Sequence, residues 1–196
     1  LYIGMKDEVG CYSFATSDYQ VISHPEFFYI STLMLDSSES TLWIGNAHHL
    51  HRMNLNTKEI ERVRDFYVVK SIAKDDNNLL IGTDNGLYVC DRQGTWHLIS
   101  HDARNSQSLS SNVVNMFFKD ANGNIWIGTD NGISLAAHNP SIRSRSLFDI
   151  TGSDEGCQIS SIQRTVDSTL WLGGSRGLIK LKTDMQGNNI RRWYQM

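Results

Sequence analysis

The sequence has little of several residues and patterns, and each shortage excludes a class of protein. It contains 2 prolines and 3 cysteines in 196 residues, too few for a proline-rich linker or a disulfide-dense scaffold. No apolar run approaches the ~18 residues that a membrane-spanning helix needs. The formal net charge of −3 provides no basic face, so we do not expect nucleic acid as a partner.

The three cysteines form no recognisable metal or redox motif. Cys11, Cys90 and Cys157 lie far apart in the sequence and include no C-x-x-C pair, so a cysteine zinc site is not expected. One disulfide stays open as an alternative if the chain is exported. We favour three small buried residues, which is how free cysteines commonly behave.

A four-residue apolar motif ending in glycine recurs along the whole chain. Its copies occupy residues 1–4, 42–45, 79–82, 125–128 and 170–173. The glycines of successive copies are 41, 37, 46 and 45 residues apart, and a period near 40 is typical of one four-stranded blade of a β-propeller. We predict an all-β fold, a partial propeller of about five four-stranded antiparallel blades forming one domain over residues 1–196, with the first blade incomplete.

The residues around each motif predict the other strands of a blade. A second glycine follows after a Thr-Asp-Asn turn at Gly86 and Gly132, which indicates a hairpin. Glu8 and His49 take that position in two copies, so their turns should differ. Inner strands are predicted at 66–73, 113–118 and 159–166, third strands at 87–90 and 178–182, and outer strands at 96–100, 145–150 and 190–194. We expect almost no helix.

The motif tryptophans are predicted to pack between blades. In a strand, alternate side chains share a face, and both faces of the motif are apolar. Trp43, Trp126 and Trp171 therefore fit an inter-blade core, and sugar stacking is the alternative.

Three motifs that resemble catalytic or metal sites are better explained by the repeat. The G-x-S-x-G run at 173–177 precedes a strand-like segment, whereas a nucleophile elbow needs a helix there. Histidines 48, 49 and 51 align with the hairpin turn of other blades, so we interpret them as a decorated turn. Asp120 opens a calcium-like loop, but Ile125 and Asn131 replace the glycine and glutamate that such a loop requires.

One repeat carries a resemblance to a known family. Ser108-Leu109-Ser110-Ser111-Asn112, the turn from Asp120 to Gly123 and the run 125–132 resemble the two-component regulator propeller repeat. The resemblance implies a seven-bladed propeller in the periplasmic sensor of a hybrid two-component system, which binds an oligosaccharide and signals to a histidine kinase. The chain begins within a strand-like run, so we expect a fragment of a larger multi-domain sensor.

A seven-bladed ring would need roughly 280 residues at ~40 per blade. Open strand edges invite pairing with another chain, so homodimerisation or other self-association of these blades is a further expectation. The remaining blades and the kinase module of the parent chain are the other expected partners.

The expected function is therefore non-catalytic sensing of an oligosaccharide in the periplasm. No catalytic residue, cofactor or metal is predicted. A protein-interaction scaffold and a glycan-active hydrolase or lyase are the alternatives.

Propellers bind ligands on the face lined by the turns between second and third strands and by the crossovers between blades. Loops on a rigid scaffold commonly carry binding residues, and Arg176 stands out because it replaces asparagine at a turn. The predicted ligand-binding residues are His48, Asp84, Arg104, Asp130 and Arg176.

Overall fold

The structure is a computed structural model that describes residues 1–75, 78–105, 107–121, 123–136, 142–146, 150, 157–167, 169–183 and 189–195. Within these residues the chain forms β-strands numbered β1 to β19. They are β1 (Tyr2–Gly4), β2 (Glu8–Tyr12), β3 (Tyr19–Ser23), β4 (Thr32–Asp36), β5 (Thr41–Gly45), β6 (His49–Asn54), β7 (Ile60–Asp65), β8 (Val69–Lys74), β9 (Leu79–Thr83), β10 (Gly86–Cys90), β11 (Trp96–Ile99), β12 (Val114–Lys119), β13 (Ile125–Thr129), β14 (Gly132–Ala136), β15 (Ile142–Ser146), β16 (Ile159–Arg164), β17 (Leu170–Gly174), β18 (Gly177–Thr183) and β19 (Asn189–Gln195).

The described strands form five antiparallel sheets, each with strands in chain order. Blade 1 contains β1 to β3, blade 2 β4 to β7, blade 3 β8 to β11, blade 4 β12 to β15 and blade 5 β16 to β19. The predicted all-β partial propeller is confirmed, and so is a first blade of three strands. The chain divides into two compact units, residues 1–73 and 74–196, and each is described by itself.

The outer strand of blade 4 lies earlier than the sequence predicts. We expected it at 145–150, and the structure places β15 at Ile142–Ser146. The register is seen in the strand pairing, in which Ala136 of β14 lies opposite Ile142 of β15. Residues 147–149 lie outside the described residues.

The repeat glycines lie where a neighbouring strand approaches the second strand of a blade. A Cβ atom on Gly128 would lie 2.9 Å from Cγ of Met116 and 3.0 Å from Cγ2 of Ile159. Gly45 is equally crowded, since a Cβ there would lie 2.7 Å from Cγ2 of Thr32 and closer still to Val69. Real Cβ atoms essentially never make contacts below 3.0 Å, so at Gly45 and Gly128 the motif ends in glycine for steric reasons.

Each unit has its own apolar core between blades. In the first unit, Val9 of blade 1 packs with Leu42, Ile44 and Met53 of blade 2, and Phe27 of the crossover joins them. In the second unit, one buried cluster draws on blades 4 and 5 and on the chain between them. Its members are Ile133, Ile150, Cys157, Ile159, Ile162, Leu170, Leu172 and Ile179.

The motif tryptophans have three different environments. Trp43 is buried, and Trp126 is half-buried against the core of the second unit, as predicted. Trp171 is half-buried too, but its ring stacks on Tyr194, with 6.0 Å between centroids, and Lys180 lies over it. Trp171 lies on the second strand, but its ring packs on the third and fourth strands of its own blade and not in the inter-blade cluster, so for this tryptophan the prediction was wrong.

The cysteines are only partly as expected. All three are free thiols, and only Cys157 is buried, whereas Cys11 and Cys90 are half-buried. The two half-buried cysteines lie on β2 and β10, the third strands of their blades counted from the inner end. Strands there pack less completely than the second strands.

An aspartate closes the first turn of four blades. The carboxylates of Asp36, Asp75, Asp120 and Asp167 each accept the backbone N–H of a residue two to four positions later. This is the capping geometry that aspartate favours in turns. The calcium-like loop at Asp120 is thus a capped turn, as expected.

Asp120 also connects two blades. Its side chain is fully buried, and it accepts hydrogen bonds from Trp126 Nε1 at 3.1 Å and from Arg164 Nη1 of blade 5 at 2.8 Å. The buried carboxylate is therefore paired and hydrogen-bonded, which is what makes its burial tolerable.

The G-x-S-x-G run also follows the repeat. It spans the end of β17 and the start of β18, so a strand and not a helix follows Ser175. The segment lacks the geometry of a nucleophile elbow.

We expect Gly128→Ala to destabilise the chain by about 1–3 kcal/mol, because the added methyl group forces Met116 and Ile159 apart. Urea unfolding measures the change. Gln93→Ala, at an exposed turn position, is the control and should change stability by less than about 0.5 kcal/mol. Equal stability of Gly128→Ala and the control would contradict the steric account.

Asp167 should make stability depend on pH at the acid end. Hydrogen bonds from Thr165, Thr169 and Lys182 hold the pKa of its carboxyl well below the usual 3.8. A folded-state pKa that is lowered gives stability above the unfolded pKa, and that stability is lost as the pH falls below it. We expect Asp167→Asn to melt below the wild type at pH 7 and the difference to shrink below about pH 4.

Thermal melts between pH 7 and about pH 2 measure this difference. Asp18→Asn is the control, because Asp18 is an exposed aspartate outside any turn of this kind, and it should match the wild type throughout. A difference between Asp167→Asn and wild type that stays constant down to the lowest pH would refute the assignment.

Candidate functional site

Two hairpins between second and third strands share one hydrogen-bond pattern. In blade 3, Thr83 Oγ1 donates to the carbonyl of Gly86 at 2.9 Å and accepts from the N–H of Asn85 at 3.0 Å. Thr129 repeats both bonds in blade 4. These buried threonines fix the shape of both turns.

Blade 2 departs from this pattern, and the departure joins its hairpin to a crossover. Asn46 takes the place of threonine and is fully buried. Its Oδ1 accepts the N–H groups of His48 and His49 at 2.8 and 2.7 Å, and its Nδ2 donates to the carbonyl of Glu26 at 2.9 Å. The asparagine therefore ties residues 24–31, which connect blades 1 and 2, to the hairpin.

This crossover presents exposed aromatic rings. Phe28 is 45% exposed and Tyr29 is 54% exposed, and their rings meet edge to face with 4.6 Å between centroids. The imidazole of His48 stacks on Phe28 with 5.7 Å between centroids and an interplanar angle of 4°. We call Phe28, Tyr29 and His48 the aromatic platform.

Charged groups border the aromatic platform. Lys6 Nζ lies 5.2 Å from the centroid of the Tyr29 ring. The carboxylate of Asp7 accepts the backbone N–H of Tyr29 at 3.4 Å, and the carbonyl of Phe28 accepts from Ala47 at 3.2 Å. The platform therefore combines apolar ring faces with hydrogen-bonding groups, held by backbone bonds to blades 1 and 2.

A second group of polar side chains lies beneath the same crossover. His24, Glu26 and His51 each place one nitrogen or carboxylate oxygen within 4.8 Å of the others. Nε2 of His51 lies 3.0 Å from Oε2 of Glu26, and the His51 side chain is 0% exposed. We call these three residues the His–Glu cluster.

Burial and pairing act on the two central groups of the cluster. Burial lowers the pKa of His51, although its hydrogen bond to Glu26 opposes the change. The same hydrogen bond lowers the pKa of Glu26, with Arg62 adding to the effect. At neutral pH the imidazole of His51 is therefore uncharged and Glu26 is a carboxylate.

The histidine run is placed differently from the sequence-based interpretation. We expected a turn decorated with histidines, but only His48 lies in the turn, because β6 begins at His49. His49 pairs with Asp65 at 3.0 Å, and His51 is buried in the strand. The two strand histidines lie on the same face, with 5.7 Å between ring centroids.

The second unit carries a separate chain of polar side chains. Asn115 Nδ2 donates to Asp130 at 2.8 Å, and Asn115 Oδ1 accepts from Gln158 Nε2 at 3.2 Å. The backbone N–H of Gln158 donates to Ser175 Oγ at 3.2 Å. These bonds connect the hairpins of blades 4 and 5 through the inner strands.

The structure distributes the five predicted ligand residues over several loops. Asp84, Asp130 and Arg176 lie in the hairpin turns of blades 3, 4 and 5, and Arg176 is exposed. Arg104 is exposed in the crossover 101–113, whose Leu109 is buried and whose Ser110 hydrogen-bonds to Thr129. His48 belongs to the aromatic platform of the first unit.

Sequence reasoning missed most of the residues that cluster. Phe28, Tyr29, His24 and Glu26 lie in a crossover with no repeat to mark it. The run His24-Pro25-Glu26-Phe27-Phe28-Tyr29 was the available signal, since apolar side chains that are exposed together commonly mark a binding site.

Comparisons with known proteins find the same repeat in a protein-family model and a similar fold in solved structures. Residues 108–131 match the family model described as the two component regulator propeller. Two structures show an extracellular domain from B. thetaiotaomicron, described in one as part of a proposed one-component system and in the other as part of a proposed hybrid two-component system. They are 35% and 33% identical in sequence to this chain, each with a TM-score of 0.64. The extracellular domain of another proposed hybrid system of B. thetaiotaomicron is 19% identical with a TM-score of 0.77.

The match covers all of this chain and a smaller share of its relatives. The chain covers 27% of the first two relatives and 26% of the third. Virginiamycin B lyase from Staphylococcus aureus, 11% identical over 97% of this chain and 64% of its own, has a TM-score of 0.68 and shares the fold alone. No curated protein matches the sequence.

These comparisons confirm the resemblance and the coarser expectations. The similarity to extracellular domains of two-component systems indicates an extracytoplasmic location. Propeller regions of this repeat class are non-catalytic sensor regions, which confirms the prediction that this chain is not an enzyme. Among the described residues, no helix is long and apolar enough to cross a membrane.

Proposed function

We propose that this chain, which carries the two-component regulator propeller repeat, forms part of a sensor that binds an oligosaccharide and signals to a histidine kinase. The observation that carries the proposal is the aromatic platform. Sugars present apolar C–H faces and hydroxyl edges, so they bind where exposed rings lie beside fixed polar groups.

The aromatic platform meets both requirements. Its rings are exposed and braced, because Phe28 contacts Tyr29 and His48 and the backbone around it is hydrogen-bonded to blades 1 and 2. A braced ring loses little conformational freedom when a ligand stacks on it. Lys6 and Asp7 supply charged hydrogen-bonding groups at its border.

The similarity to extracellular domains of two-component systems supports the sensing role. In this proposal the propeller lies in the periplasm and the kinase module belongs to the parent chain. Ligand binding changes the propeller or dimer geometry, and that change reaches the kinase. Self-association and the single-domain organisation over residues 1–196 stay predictions.

The platform is tested by comparing Phe28→Ala with Phe14→Ala on an array of plant, host and microbial oligosaccharides. Phe14 is 76% exposed and lies in the loop before β3, away from the crossover, so it is a matched loss of an exposed ring. We expect Phe28→Ala to weaken glycan binding about tenfold, the value of roughly 1.4 kcal/mol of lost stacking.

Phe14→Ala should bind as the wild type does. If the wild type binds a glycan and both Phe28→Ala and Phe14→Ala bind it with the same affinity, the role of the platform is refuted. Wild-type protein that binds no glycan on the array but captures a purified protein ligand would favour the scaffold alternative instead.

The remaining predicted residues are tested through Arg176. An exposed guanidinium at a turn can donate to sugar hydroxyls or carboxylates, so Arg176→Ala is expected to weaken binding of a glycan held by the second unit. Titration calorimetry with a glycan from the array measures the affinity. Unchanged affinity would remove Arg176 from the candidate site.

A further inference from the structure

The His–Glu cluster has the composition of a transition-metal site. Two imidazoles and one carboxylate are a ligand set that zinc uses in proteins. Two nitrogen donors out of three favour Zn²⁺ and its neighbours over Ca²⁺ or Mg²⁺, which prefer oxygen ligands. From the placement of His24, Glu26 and His51 around one point, we propose that this chain binds a Zn²⁺-class divalent cation between them.

The distances fit a cation with small adjustments. Zinc lies about 2.0–2.2 Å from nitrogen and oxygen ligands, so two ligand atoms in a tetrahedral site are about 3.3 Å apart. Nε2 of His51 and Oε2 of Glu26 are 3.0 Å apart, and a cation in place of the shared proton needs to part them only slightly. His24 lies in a turn after β3, where the backbone N–H of Phe27 donates to its carbonyl and the backbone N–H of Glu26 donates to its Nδ1 at 3.3 Å.

The cluster is fixed on one side and open on the other. His51 lies on β6 with no side-chain exposure, while the Glu26 side chain is 35% exposed, so a cation can reach the carboxylate from solvent. Phe27 packs edge to face against His51 with 5.5 Å between ring centroids. The backbone carbonyl of Glu26 is held by Asn46.

Neighbouring groups orient the ligands and keep the site from being cationic. Arg62 contacts the other oxygen of Glu26 at 3.5 Å and Asp65 at 3.6 Å. This leaves Oε2 directed at His51, as an outer contact does for a metal-bound carboxylate. Glu26 and Asp65 carry two negative charges and Arg62 carries one positive charge. The cluster and its neighbours therefore keep a net negative charge.

This proposal departs from the expectation of no metal site, and the reason is topological. In the sequence His51 stands beside His48 and His49, with no carboxylate next to them. Glu26 lies 25 residues before His51, and only the return of the chain from blade 1 to blade 2 brings the crossover beneath β6.

The experiment is calorimetric titration of metal-stripped chain with ZnCl₂, compared among wild type, His24→Ala and Glu26→Gln. The control is His97→Ala. His97 also pairs with an aspartate, Asp91 at 3.3 Å, but it is 59% exposed and belongs to no group of three metal-ligating side chains in the part of the chain that the structure describes. We expect wild type and His97→Ala to bind a single Zn²⁺ with equal affinity. Each cluster variant should bind at least about tenfold more weakly, as loss of even an outer-shell partner does.

Glu26→Gln keeps the shape of the side chain, so it tests the site even if His24→Ala fails to fold. Cobalt(II) gives a second reading, since its visible absorption reports the ligand geometry directly, and the tetrahedral bands of the wild type should be lost in Glu26→Gln. Wild-type protein that takes up no Zn²⁺, or equal affinity in wild type and Glu26→Gln, would overturn the proposal. Glycan binding is measured separately, so either result leaves the sensing proposal to its own test.

Discussion

Close approach of neighbouring strands near the ends of β5 and β13 is the constraint on which the rest of this structure depends. At Gly45 and Gly128 no side chain fits, because side chains of the inner strands occupy the space. Packing this close lets Ile44 and Ile127 be fully buried between blades. It also fixes where each second strand ends, and therefore where the following hairpin turn begins.

The candidate ligand sites follow from that fixed starting point. Because Thr83 and Thr129 close their turns identically, the turn residues are presented by a scaffold that barely varies. Blade 2 keeps the glycine but replaces the threonine with Asn46, and the amide reaches the crossover. The aromatic platform and the His–Glu cluster both depend on this one exchange, and departures from a repeat commonly occur where function is placed.

The sequence allowed the blades to be predicted because a steric rule repeats in it. Gly45 and Gly128 mark close approaches, and each Asp-Asn-Gly run marks a tight turn, so the spacing of the repeat located most strands. The outer strand β15 was misplaced because outer strands are polar and their register is set by pairing, with Ala136 opposite Ile142. Hydrophobic pattern carries no information about such pairing.

The candidate site was predicted only in part, for a related reason. Turn residues such as His48 and Asp130 could be located by their offset from a repeat glycine. Phe28 and Glu26 could not, because a crossover has no period and its contacts depend on how two blades come together. His51 was predicted to lie in a turn, and its place in β6, buried against Phe27, is a property of the packed core.

The most direct test of the account is amide hydrogen exchange of the chain with and without an oligosaccharide that binds it, because bound ligand slows exchange where it orders the backbone. The account predicts slower exchange at residues 24–31 and 46–48, with no change at the exposed turns 37–40 and 92–94. Slower exchange confined to those exposed turns, or none anywhere while the glycan is bound, would contradict the assignment of the aromatic platform as the binding surface.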